Sequence, residues 1–166
     1  MILPEVVPVD GISGAPEVRL LDARSAGLNP RALRAWARAE TTAAAAPYVA
    51  RSYRYPFALC AWHSSPVGVD IERIEPCEDA FARSICTPSE LPDLADRLNR
   101  DLYVSSLWCS KEALAKALGN AINYDPRRLD APSRWPAGRS GPWCAQSLPV
   151  TAEHAAWLCW QSHTAG

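Results

Sequence analysis

Five charged side chains fall in two short stretches about forty residues apart. The first, Pro66-Val67-Gly68-Val69-Asp70-Ile71-Glu72, sets two carboxylates two positions apart; the second, Trp108 to Gly119, carries Lys111, Glu112 and Lys116. On an extended strand Asp70 and Glu72 share a face, roughly 6 to 7 Å apart along the backbone, while Val69 and Ile71 take the other. Like charges held that way invite a cation between them, or a raised pKa on one of them. An all-oxygen donor set suits magnesium or manganese better than zinc. On a helix, Glu112 and Lys116 are one turn apart, Lys111 sits beside Glu112 on a different bearing, and Trp108 lies one turn before it. Carboxylates that hold a divalent cation, with a lysine to neutralise phosphoryl oxygens, are the parts of a metal-bridged phosphate site. Each motif alone also reads as ordinary structure: Asp-x-Glu as a solvated strand end, Glu/Lys at i,i+4 as support for its own helix. The chemistry requires strand and helix to meet across one solvent-reachable cleft.

The elements that must position these groups follow from periodicity and punctuation. Short apolar pieces over 2–9 and 18–21 read as strands. Asn29-Pro30 starts a helix over 31–46, with Leu28, Ala32, Ala35 and Trp36 as its stripe and Pro47 as its stop. Tyr48 to Tyr55 alternates apolar or aromatic residues with Arg51 and Arg54, and Phe57 to Trp62 is a short continuous apolar run, expected to be a buried strand. The turn His63-Ser64-Ser65-Pro66 leads into a strand over 67–71, and these two strands are expected to pair as a hairpin. Short helices are predicted over 77–85 and 88–99, the second opened by Thr87-Pro88-Ser89-Glu90 and liable to interruption at Pro92. The clearest helix runs from 100 or 101 to Leu118 on a stripe of Leu107, Trp108, Leu114, Ala115 and Leu118, and Gly119-Asn120 stops it. A brief strand over 121–124 follows. A proline-rich connection over 125–141 has four arginines that read as a solvated basic loop. A terminal hairpin over 143–150 and 155–161 and a fraying tail over 162–166 complete the chain.

At 166 residues one compact domain is expected over 1–166. The net charge is -1, and the segment 68–101 holds nine acidic residues against four arginines, so nothing drives the chain toward a polyanion and nucleic acid is not an expected partner. Six scattered cysteines form no CxxC pair; they read as packing residues rather than as zinc ligands or a disulfide framework. The start lacks the pattern of an export signal and no stretch reaches membrane-spanning length, so a cytoplasmic protein off the membrane is expected. His63 reads as a polar residue beside a turn, and His154 and His163 have no spaced ligand partner.

Taken in order, the motifs resemble the 4'-phosphopantetheinyl transferase superfamily, in the type related to surfactin synthetase activators. The likeness rests on Pro66 to Glu72, on Phe81 followed by Thr87-Pro88-Ser89-Glu90, and on Trp108-Cys109-Ser110-Lys111-Glu112 ending in Lys116-Ala117-Leu118-Gly119, and it covers about residues 50–160. It implies an α+β fold, an antiparallel sheet packed against a long helix, with coenzyme A in a cleft. It further implies magnesium on Asp70, Glu72 and Glu112, gripping the coenzyme A pyrophosphate. Lys116 would face phosphate oxygens, with Lys111 part of the same motif. The serine of an apo acyl or peptidyl carrier protein would attack the phosphorus joined to pantetheine, with Glu112 helping to remove its proton and adenosine 3',5'-bisphosphate leaving. Two departures stand out. The Ser-His pair of this type becomes Ser52-Tyr53, and tyrosine donates one hydrogen bond but offers no imidazolium charge. Residues 1–50 form a reduced first lobe before a 51–161 core and lack a Gly-Lys-Pro stretch, which suggests a compact monomer or a homo-oligomer that completes its cleft across an interface. These departures keep two alternatives open: a family member without transfer activity that binds a carrier protein or biosynthetic complex, and an altered transferase in the same cleft.

Overall fold

The computed structural model describes residues 2–10, 13–95 and 98–163. In chain order the elements are β1 (Glu5–Val6), β2 (Glu17–Asp22), α1 (Ala23–Ala26), α2 (Pro30–Ala43), β3 (Tyr48–Arg54), β4 (Phe57–His63), β5 (Val67–Arg73), α3 (Asp79–Ile85), α4 (Arg100–Leu118), β6 (Arg139–Ser140), β7 (Trp143–Ser147) and β8 (His154–Gln161). The strands make two antiparallel sheets, ordered β1-β2-β4-β3 and β5-β8-β7-β6. Alternation along each strand sends one set of side chains between the sheets, where Val18, Leu20, Leu59 and Ala61 meet Val69, Ile71, Leu158 and Trp160. The opposite set carries the helices. Leu21, Ala58 and Cys60 take Leu33 and Ala37 of α2, while Ala145 and Cys159 take Ala113, Leu114 and Ala117 of α4. Because β4 is covered on both faces, its run from Phe57 to Ala61 is buried throughout, as a continuous apolar strand requires.

The expected α+β class is what forms. Helix α4 has the bounds read from the sequence and ends at Gly119 in the left-handed region, φ 80°. Helix α2 starts where Asn29 accepts from the Ala32 amide at 2.8 Å, with Pro30 in its first turn.

Several expectations are corrected. The buried line of α2 is Leu33, Ala37 and Thr41, while Ala35 is exposed, because Leu33 is the side chain that fills the space over Leu21 and Cys60. The predicted hairpin of β4 with β5 does not form. Both edges of β4 are already hydrogen-bonded, to β2 and β3, so the chain crosses at 64–66 to the other sheet, where β5 pairs with β8. The change of sheet therefore falls there. The helix predicted over 88–99 shrinks to a single 3-10 turn at Leu91–Leu94, since Pro92 lacks an N-H and the Glu90 side chain turns inward to other backbone amides; residues 96 and 97 lie outside the described residues. The strand predicted over 121–124 is a turn closed by the Asn123 amide on the Asn120 carbonyl, 3.0 Å. Ser162 and His163 are anchored rather than frayed. The Ser162 amide donates to the Pro142 carbonyl at 2.8 Å, and the His163 ring meets the Ser64 and Ser65 hydroxyls; residues 164–166 lie outside the described residues.

Candidate functional site

Two local rules bring strand and helix together. Along β5, Val67, Val69 and Ile71 face the core between the sheets, leaving Gly68, Asp70 and Glu72 on the α4 side. Between Cys109 and Ala117 every side chain of α4 is buried except Glu112 and Lys116, which are partly open. The close approach depends on Gly68, where a Cβ would sit 1.9 Å from the Ala113 carbonyl oxygen and 2.7 Å from the Ala117 nitrogen. No other residue fits against the helix there.

The centre of the site is Asp70, 4% exposed. Its Oδ1 accepts from Lys116 Nζ at 3.0 Å and from the Ser52 hydroxyl at 3.0 Å. Its Oδ2 is buried with no partner. Lys116 Nζ also donates to the Val69 carbonyl at 2.9 Å, and reaches the Arg51 carbonyl at 3.5 Å. Ser52 Oγ in turn accepts from the Ile71 amide at 3.1 Å. Thus β3 and β5, each the edge strand of its own sheet, are stitched together by side chains instead of by a backbone ladder. Arg54 bonds Glu72 as Ser52 bonds Asp70, with the same offset of 18 residues, so the two edges run in the same direction. A hollow of about 440 Å³ opens beside Lys116, lined by Val49, Arg51, Val67 and the turn from Gly119 to Asn123.

The carboxylates respond to this crowding. Burial, then the neighbouring charge of Asp70, push the Glu72 carboxyl up to about 7 in spite of Arg54. Burial also raises Glu112, with the Asp70 charge adding to the rise; the hydrogen bond from the Tyr124 hydroxyl to Glu112 Oε1, 2.6 Å, works the other way. Among the described residues, no three histidine, cysteine, aspartate or glutamate side chains are placed together so as to hold a metal ion. The triad expected of Asp70, Glu72 and Glu112 is divided among separate donors: Lys116 and Ser52, Arg54, and Tyr124. Oxygen donors suit a divalent cation, and the orphaned, buried Oδ2 of Asp70 fits one.

Two expected contacts lie elsewhere. Lys111 is wholly buried on the far side of α4, where it donates to Glu90 at 2.5 Å and to the carbonyls of Ile85 and Pro126 at 2.6 and 2.9 Å. It cannot reach a ligand in the cleft. Tyr53 points to the α2 side of its sheet, opposite to Ser52, and the Arg34 guanidinium covers its ring at 4.2 Å. His63 is buried against His163, 5.8 Å between ring centroids, and burial followed by the His163 charge lowers its pKa. Sequence reasoning assigned no role in the site to Gly68, Arg54 or Tyr124. The first two had a signal: Gly68 precedes Asp70 on its face of β5, and Arg54 follows Ser52 on its face of β3.

A family model described as the 4'-phosphopantetheinyl transferase superfamily matches residues 66–160, more than half of the chain, from the entry to β5 through most of β8. The chain belongs to this superfamily. The match takes in both motif stretches and the two elements that bring them into contact. Similar relatives are the 4'-phosphopantetheinyl transferase psf-1 of Bacillus pumilus, 37% identical over 62 residues that cover 36% of this chain and 27% of that protein, and the 4'-phosphopantetheinyl transferase Sfp of Bacillus subtilis (strain 168), 31% identical over 67 residues, 39% of this chain and 30% of that protein. The expected likeness to the surfactin-synthetase-activator type is met by these superfamily members. The matches span less than a third of the length of either relative. Among the described residues no helix is long and apolar enough to cross a membrane.

Proposed function

We propose that the chain transfers the 4'-phosphopantetheine group from coenzyme A to a serine of an apo acyl or peptidyl carrier protein. The observation that supports it most is the junction of Asp70 with Lys116: a buried carboxylate with one oxygen unpartnered beside a lysine that opens on a hollow. Asp70 and Glu72, with Glu112 across the cleft, would hold magnesium or manganese. Such a cation, when bound, supplies positive charge to the pyrophosphate.

The chain's own residues account for the rest. Lys116 has three protons and three acceptors, of which the Arg51 carbonyl at 3.5 Å is the weakest. A phosphoryl oxygen entering the hollow replaces that contact and keeps the other two, so the ammonium stays aimed. The serine oxygen forms a bond to the phosphorus joined to pantetheine, the bond from that phosphorus to the oxygen of the adenosine bisphosphate breaks, and adenosine 3',5'-bisphosphate leaves. Glu112 takes the serine proton, and the burial that raises its pKa above the ordinary carboxylate value makes it a stronger base than an exposed glutamate. Ser52 holds Asp70 in place from the adjoining edge.

Intact-mass measurement after incubation with coenzyme A, magnesium and a panel of apo carrier proteins tests the reading: a phosphopantetheine adduct is expected, lost in Asp70→Ala and Glu112→Gln. No adduct on any carrier would count against it. A second reading, a member that binds a carrier protein without transferring to it, draws support from Tyr53, which lies under Arg34 on the α2 side. Calorimetry separates the two, since that reading expects carrier binding with no coenzyme A binding.

A further inference from the structure

The hydrogen bond from Tyr124 to Glu112 reaches outside both motif stretches, and the surrounding chain fixes its donor. The backbone leaves α4 at Gly119, whose left-handed conformation turns it back, and the Asn120–Asn123 turn sets the approach to Tyr124. Two residues further on, the Pro126 carbonyl is clamped by Lys111 Nζ at 2.9 Å, and the Asp125 side chain caps the following 3-10 turn at the Arg127 amide, 3.0 Å. The tyrosine is thus held from both ends, half-buried, with its hydroxyl 2.6 Å from one oxygen of Glu112. A hydroxyl on one carboxylate oxygen leaves the other free and fixes the direction in which it points.

We propose that Tyr124 is a positioning residue for the divalent-cation site: its hydroxyl holds Oε1 of Glu112 so that the second oxygen faces Asp70, and it makes cation binding depend on the turn at 120–123 that walls the hollow beside Lys116. The proposal rests on the cation-site reading above. It extends that reading to a residue outside the acidic strand and α4. It also gives the Lys111 clamp a functional consequence, since the clamp anchors the segment that carries the tyrosine.

Mn²⁺ binding, followed by the free-ion electron paramagnetic resonance signal with coenzyme A present and a protein-free coenzyme A control, provides the test. Tyr124→Phe keeps the ring and removes only the hydroxyl, and a roughly tenfold weaker Mn²⁺ affinity is expected. In a Glu112→Gln background the same substitution is expected to add less than twofold, because the carboxylate it acts through is gone. Equal Mn²⁺ affinity in wild type and Tyr124→Phe would overturn the role of Tyr124 while leaving the cation site standing. So would an undiminished tenfold loss in the Glu112→Gln background, which marks a general structural effect. A wild-type protein that binds no Mn²⁺ would overturn the cation site and the proposal with it.

Discussion

Helix α4 carries two lysines five positions apart, each paired with a carboxylate, and the two pairs have different fates. At Lys111 both partners are 0% exposed. The ammonium has three acceptors for its three protons, and Glu90 is filled by Lys111 and by the Thr87 and Ala131 amides. At Lys116 the lysine is 25% exposed, its third contact is long, and the buried Asp70 beside it keeps an unpartnered oxygen. A complete set of partners leaves a buried charge nothing further to bind, so the first pair locks α4 to α3 and to the segment after the helix. An incomplete set, its lysine reachable by solvent, stores the capacity to bind something else.

The comparison can be broken most forcefully at the closed pair. Lys111→Met leaves Glu90 charged, buried and without its cation, and is expected to cost about 3–5 kcal/mol in urea denaturation. Adding Glu90→Gln should restore part of that, and a loss under about 1 kcal/mol would erase the distinction drawn here. Next comes the spacing on which the open pair depends: Gly68→Ala drives a methyl into the Ala113 carbonyl. Its expected cost is about 1–3 kcal/mol, with carrier modification falling as α4 moves off β5; unchanged stability and rate would show that the helix does not need this approach. At the open pair, Lys116→Met should cost less stability than Lys111→Met, about 1–2 kcal/mol, yet remove carrier modification measured by intact mass. A reversal of that order would sink the contrast.

The smallest effect sharpens the electrostatics. In the cation-free protein the folded state keeps the Glu72 proton up to about pH 7, whereas the unfolded chain releases it near 4.5. This contribution is fully present below 4.5 and is lost as pH rises through about 7, so stability falls with pH across that window. Thermal melts from pH 5 to 8 should fall less in Glu72→Gln than in wild type; parallel curves would remove Glu72 as the source.

Much of the fold was legible because it rests on local physics. The caps and length of α4, the asparagine start of α2 and the buried run of β4 are set by neighbours in the chain. The largest topological error fell where two elements compete for one edge: β4 and β5 read as a hairpin until β2 and β3 are seen to occupy both sides of β4. In the site, the types and spacing of Asp70, Glu72, Glu112 and Lys116 announced themselves, while Lys111, already on a different bearing from Glu112, gave no sign of the buried Glu90 that receives it.

Residue type and periodicity alone determined which face of β5 is acidic, where α4 begins and ends, and that α4 carries a carboxylate and a lysine one turn apart. Only the tertiary structure decided which lysine serves the cleft, that Ser52 and Arg54 join the acidic strand across a seam between two sheets, and that Tyr124 holds Glu112. Periodicity is a property of neighbours along the chain. Which charge is left unsatisfied depends on partners 12 to 46 residues away, and no local rule brings those together.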